Sequence, residues 1–274
     1  MIELPEARII KSGLSKEIKG KKIVNVLGNF DDHKFTFYYN DPSEYKKLLI
    51  NKRVTNVIPR NFYIEIEIED YLLTMRDGTN IRYYEKCDIP KKSKLLLEFE
   101  DGTFLNVTVA MYGFICVFKK SENMDDPYYD MELSRVGVLD KEYTFNYFKS
   151  LIDDKSKKLS AKAFLATEQR ILGIGNGVVQ DILFNARIHP KKKIKDLTDE
   201  QIKKLYESTK STINEMIKKG GRDTEKDIYG NFGGYKTKFS NKSYKNDKCP
   251  SCKGDIKKEN YLGGSIYYCP VCQQ

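Results

Sequence analysis

The apolar positions of this chain change their period part-way along it. Residues 6–19 place Ile10, Leu14 and Ile18 four apart, the spacing of one helical face, and Gly20 follows as a stop. From there to about residue 130 the dominant period is two. Residues 22–27, 35–39 and 63–69 are rich in β-branched and aromatic side chains, and the run YIEIEIE alternates strictly. Asp77-Gly78 and Asp101-Gly102 predict hairpin turns between such runs, and KLLLEFEDGTFLNVTVAMYGFICVF reads as one complete hairpin. A short helix is expected over 42–51, and the polar, Asp-rich residues 123–138 read as a linker.

Helical spacing returns beyond that linker. Residues 145–153 read as a helix, Ser160 can cap AKAFLATEQRI, GIGN interrupts, and GVVQDILFNARI resumes. Thr198 and Gln201 form a capping box for a long helix over 199–219, which Gly220-Gly221 ends. The fold class expected is α+β with two domains. Residues 1–135 form a β-sandwich with an N-terminal helix, and residues 140–235 form a helical domain. After a lysine-rich connector, residues 245–274 form a small metal-held hairpin.

Charge sharpens this division. The net charge is +9, yet residues 1–150 carry 23 basic and 24 acidic residues while residues 151–274 carry 25 and 15. The whole surplus therefore lies in the second half. Between residues 231 and 259 eight lysines interleave with Phe232, Tyr235, Phe239 and Tyr244, a composition that suits a phosphate backbone or a solvated connector. No apolar run approaches the ~18 residues of a membrane span, and no secretory apolar region opens the chain. A soluble, cytoplasmic protein without a membrane partner is expected.

Four of the six cysteines, Cys249, Cys252, Cys269 and Cys272, form two Cys-x-x-Cys pairs. Each pair is a short knuckle whose sulfurs point at one ion, and two knuckles a hairpin apart supply the tetrahedral thiolate set of one structural zinc. Two disulfides or a redox pair are the alternatives. So small a segment buries little apolar surface, so metal would supply most of its folding free energy. Cys87 and Cys116 read as buried thiols.

The GIGN turn has a chemistry of its own. Gly173 and Gly175 permit a tight reversal. The helix that follows Asn176 presents N–H groups and a positive dipole end, an anion site to which Asn176 adds an amide and which Lys162 could reach. An ordinary helical hairpin with a glycine turn has the same pattern.

Taken together, GIGN, ILFNARIHP, KKGGRDTEKD, the Cys-x2-Cys-x16-Cys-x2-Cys ending in CQQ, and the N-terminal IELPEA resemble the formamidopyrimidine-DNA glycosylase / endonuclease VIII family. The resemblance runs the length of the chain. It implies a base-excision-repair glycosylase with AP-lyase activity on oxidised bases, acting as a monomer on double-stranded DNA with a damaged or abasic nucleotide, at the nucleoid. It implies a β-sandwich carrying the catalytic terminus, then a helix–two-turns–helix domain and a zinc hairpin that grip DNA. By the same resemblance the N-terminal amine, on Ile2, is the Schiff-base nucleophile, Glu3 the acid/base, and Glu6 a neighbour behind it. Lys162, Gly175 and Asn176 would hold phosphate, with Arg60 and Tyr112 as further DNA contacts.

Four positions depart from the family pattern. Ile2 stands where the family has proline, and Asn61, beside Arg60, where it has a lysine. AMYGF at 110–114 replaces an arginine-and-phenylalanine loop that fills the void of the everted base, leaving Tyr112 or Met111 as the wedge. Gly264 replaces an arginine at the hairpin tip. The DNA-gripping half is better preserved than the chemical half, so a non-catalytic binder of damaged or abasic DNA is the alternative function.

Overall fold

The computed structural model describes residues 2–28, 35–85 and 92–274, together with the backbone but not the side chains of Asp77 and Met111. Met1 and Cys87 lie outside the described residues. Two compact units divide the chain: residues 1–133 with 224–233, and residues 134–223 with 234–274.

The first unit opens with helix α1, Leu4–Glu17. It starts earlier than the apolar spacing predicts because Pro5, whose missing N–H costs nothing in a first turn, lies two residues after the N-cap residue Glu3. Leu4, Ala7, Ile10 and Leu14 bury one face. Gly13, in mid-helix, has a packing reason. A β-carbon there would lie 2.8 Å from Cδ1 of Ile228, so the glycine admits the 224–233 segment.

Strands β1 (Ile23–Leu27), β2 (Thr36–Tyr39), β3 (Val54–Pro59), β4 (Tyr63–Ile68), β5 (Tyr71–Tyr84), β6 (Leu95–Phe99) and β7 (Phe104–Lys119) follow. Helix α2, Tyr45–Leu49, lies between β2 and β3. The hydrogen-bonded order is β1-β6-β7-β5-β4-β3, with β2 pairing parallel to β7. The long strands β5 and β7 run through both halves of the β-sandwich. One edge of β7 pairs with β6 over Phe104–Val107 and with β2 over Gly113–Cys116. The core combines α1 with Val57, Ile66, Leu73, Ile81, Leu97, Val107 and Ile115. Cys116 is buried as expected, and burial pushes its thiol up to about 12.

Two expectations fail here. Asp101-Gly102 does turn, with Gly102 at φ 79°, but Asp77-Gly78 does not. It is a bulge inside β5, where the register against β7 shifts between Asp77 and Thr79. Gly78 is required by close approach: a β-carbon would fall 2.3 Å from the Tyr112 carbonyl oxygen. The 123–138 linker instead contains helix α3, Pro127–Ser134, which buries Tyr129 and Glu132. Its polar sequence hid a helix whose inward residues bond rather than merely pack.

The second unit contains helix α4 (Phe145–Ser150), a π-helical segment Ala163–Thr167, and helices α5 (Val178–Ala186), α6 (Asp199–Lys218) and α7 (Asn241–Asn246). Ser160 caps the π-helical segment by accepting from the Ala163 N–H at 3.1 Å. The predicted Thr198–Gln201 capping box is present, and Gly220 and Gly221 end α6 at φ 75° and 98°. The lysine-rich connector is partly helical, because Ser240 and Ser243 form a second capping box at α7. Strands β8 (Lys257–Tyr261) and β9 (Gly264–Tyr268) make the terminal hairpin.

Candidate nucleic-acid interface and metal centre

The four hairpin cysteines converge. Their sulfurs all lie within 4.8 Å of one another. Cys249 and Cys272 are 3.8 Å apart, and Cys252 and Cys269 are 3.5 Å apart. Bonds of about 2.3 Å to a tetrahedral zinc set sulfurs about 3.8 Å apart, whereas a disulfide needs about 2.05 Å. The disulfide alternative therefore fails, and the site can hold one metal ion of zinc's kind. The first knuckle is closed by the Cys249 N–H donating to the Gly254 carbonyl at 2.9 Å and by Gly254 N–H donating to Cys252 Sγ at 3.4 Å. The second is closed by Gln273, whose Oε1 accepts from the Cys269 N–H at 2.9 Å.

Side chains around α5 then fix this hairpin. Gln273 Nε2 donates to the Ile188 carbonyl at 3.0 Å, just beyond the left-handed Arg187 (φ 62°) that ends α5. Gln180 donates to the carbonyls of Asn176 and Ser265, both at 3.0 Å, and accepts from the Tyr267 N–H at 3.1 Å. Asp181, fully buried, accepts from the Lys238 and Phe239 N–H groups at 3.0 and 2.9 Å, which anchors the connector. Phe184 and Phe239 pack with Cys249, Ile256, Tyr267 and Cys269 into one small core. The metal clip is thus seated on the helix that follows GIGN.

Within that turn Gly173 takes the left-handed backbone at φ 76°. The Gly175 carbonyl accepts from the Val179 N–H at 3.1 Å. Asn176 meets the hairpin at Gly264, where a β-carbon would lie 2.9 Å from its Nδ2. Lys162 packs against the same hairpin. Its side chain is wholly buried, and its ammonium donates to the Tyr261 carbonyl at 2.6 Å and the Leu262 carbonyl at 3.5 Å. Burial lowers its pKa below the ordinary value. Lys162 holds the hairpin turn in place.

In the first unit the sequence-predicted N-terminal residues come together at the start of α1. Ile2, Glu3 and Glu6 are each at most 5 % exposed. Glu3 is the N-cap residue, and Glu6 lies in the first turn, where the helix dipole favours acids. Ile2 and Glu6 line a small pocket with Ile10, Asn80, Arg82, Glu225 and Lys226.

Arg60 lies elsewhere in this unit, half-buried at the edge of a polar network. Its Nε donates to Glu65 at 2.9 Å, and Glu65 also accepts from the Tyr129 hydroxyl at 2.6 Å. Asn61 donates to Glu132 Oε1 from its N–H (2.6 Å) and its Nδ2 (2.8 Å). Burial outweighs these bonds and pushes the Glu132 carboxyl up to about 7. Tyr112, on β7, is 42 % exposed.

Sequence reasoning missed Gln180, Asp181, Gln273, Glu132 and the pocket residues Asn80, Arg82, Glu225 and Lys226. One signal was available for the first two: adjacent polar residues inside the otherwise apolar run GVVQDILF.

The sequence profile described as the Formamidopyrimidine-DNA glycosylase H2TH domain matches residues 136–227. A Formamidopyrimidine-DNA glycosylase of Bacillus cereus (strain ATCC 14579) is 28% identical over 282 residues, covering 100% of this chain and 99% of its own. One from Lactococcus lactis subsp. cremoris is 26% identical, covering 100% of both chains. Among solved structures, a complex of Lactococcus lactis Fpg with abasic-site DNA superposes at a TM-score of 0.83 with 26% identity over 99% of each chain. A complex of the wild-type Lactococcus lactis Fpg with DNA containing N7-Benzyl-Fapy-dG gives the same score, identity and coverage.

Proposed function

We infer that the chain is a member of the formamidopyrimidine-DNA glycosylase / endonuclease VIII family, and on that premise that it is a DNA glycosylase of base-excision repair with AP-lyase activity on oxidised bases. The observation that carries this reading is the gathering of Ile2, Glu3 and Glu6 at the buried start of α1, beside a pocket flanked by Arg82, Glu225 and Lys226.

With Met1 removed, the α-amine of Ile2 is the nucleophile. An α-amine titrates near ~7.7–8.0, so a large fraction is neutral at pH 7 to 8, unlike a lysine. The amine attacks C1′, the glycosidic bond breaks, and the base departs with a proton. Ring opening and loss of the amine protons give a C1′=N Schiff base. Removal of a C2′ proton then expels the 3′ phosphate and nicks the strand. Glu3 serves as acid and base in these transfers. The primary amine of Ile2 also forms a C=N bond to C1′; its imine becomes the electron sink that the family's proline iminium provides when it carries a proton. At about 20 Å³ the pocket holds roughly one water, so an everted base requires its walls to part.

Arg60 and Tyr112 in the β unit and Gly175 and Asn176 in the helical unit contact duplex DNA, with Tyr112 filling the void of the everted base. One structural zinc on Cys249, Cys252, Cys269 and Cys272 holds the hairpin, and four protein ligands leave it no open position for chemistry. The protein works as a monomer in the cytoplasm, on the nucleoid.

Intact mass of the native protein and borohydride trapping on abasic duplex test this reading. We expect a chain lacking Met1, a covalent adduct after reduction, and no base release by Glu3→Gln. Tight binding of abasic DNA with neither adduct nor base release across a panel of oxidised bases would instead establish the non-catalytic binder.

A further inference from the structure

The turn between β8 and β9 consists of Leu262 and Gly263, both in the left-handed region at φ 49° and 70°. Two-residue hairpins with positive φ at both positions select Asn-Gly, Asp-Gly or Gly-Gly, because a branched apolar side chain is disfavoured there. Leu262 is accordingly out of place on conformational grounds. Nor is it compensated by burial, since it is 45 % exposed. Strain that packing does not offset points to a use for the side chain.

The surroundings make the tip rigid. Buried Lys162 donates to the carbonyls of Tyr261 and Leu262, which fixes both peptide planes. Lys191 lies 5.4 Å from the Tyr261 ring centre and pairs with Glu259 on β8. Gly264 abuts the Asn176 amide. An exposed leucine is therefore held, with its backbone locked, immediately beside the glycine turn that carries Asn176.

We propose that Leu262 is an apolar DNA contact, packing on sugar and base edges of the strand whose phosphate Asn176 holds, with Lys162 as its positioning residue. Apolar wedges flanked by cations are how proteins grip bent or unstacked duplexes, and they contribute affinity without neutralising phosphate. This inference rests on the DNA-binding part of the function proposed above.

The test is a titration of full-length, zinc-loaded protein with an abasic-site duplex at several salt concentrations. Leu262→Asn should weaken binding at least tenfold, leave the slope of log Kd against log salt unchanged, and keep or raise the melting temperature because asparagine suits the turn. Leu262→Met, which keeps apolar reach, should retain most of the affinity. Equal binding by wild type and Leu262→Asn overturns this inference alone, as does a slope reduced by about one or a lowered melting temperature. Wild-type protein that fails to bind the duplex at all overturns the glycosylase reading, and this inference with it.

Discussion

Glu132 makes the β unit's stability depend on pH in an unusual direction. It is 4 % exposed and accepts two bonds from Asn61 through Oε1, and the Phe62 N–H also favours its charged form. Burial pushes its carboxyl from an ordinary 4.5 up to about 7. Below pH 4.5 the group is neutral whether the chain is folded or unfolded. Between 4.5 and about 7 the unfolded chain loses the proton and the folded one keeps it, so unfolding becomes easier as pH rises. Above about 7 both states are ionised and the penalty is constant. The gap between the two values corresponds to about 3 kcal/mol. Glu132→Gln keeps an oxygen for both Asn61 bonds and has no charge to bury. Its stability relative to wild type should therefore grow by about 3 kcal/mol from pH 4.5 to pH 8 and then level off. Urea unfolding of both proteins at pH 4.5, 6, 7 and 8 measures this, followed by tyrosine fluorescence because the chain has no tryptophan. A stability difference that stays constant across that range, or shrinks as pH rises, refutes the reasoning.

Metal removal should separate the two units. A chelator is expected to release one zinc per chain, melt the hairpin and abolish abasic-duplex binding, while the β unit retains its circular dichroism; a metal-free chain that binds normally contradicts this. Asp181→Ala should strand the part-buried Lys238 and buried Phe239 N–H groups and cost roughly 2–5 kcal/mol, measured by chemical unfolding of the helical unit. Gly264→Ala should push the Asn176 amide aside, since its β-carbon would sit 2.9 Å from Nδ2. The expected result is an unchanged melting temperature with severalfold weaker DNA binding, read by fluorescence anisotropy.

Local signals in this sequence were reliable where the physics is local. The period of apolar residues placed α1 and β4, because side-chain direction repeats with backbone geometry. The Thr198–Gln201 box and the Cys-x-x-Cys spacing were equally legible, since each closes within a few residues. The pairing of long strands was not. Asp77-Gly78 looks like a turn and is a bulge, because its glycine answers to the Tyr112 carbonyl on a neighbouring strand. Glu132 sits in a stretch polar enough to pass for a linker, and only its contact with Asn61 explains its burial. Lys162 shows the limit most clearly. By sequence it is a helical lysine near an anion site. Its partners, the Tyr261 and Leu262 carbonyls, lie about a hundred residues away, and no local rule foresees a lysine spent on them. Local sequence thus specified most element types, the thiolate set and the resemblance, but not α3, α7 or the bulge in β5. Tertiary structure decided which polar groups meet in the interior, because a buried donor or acceptor must be satisfied by whatever the fold brings to it, at any distance along the chain.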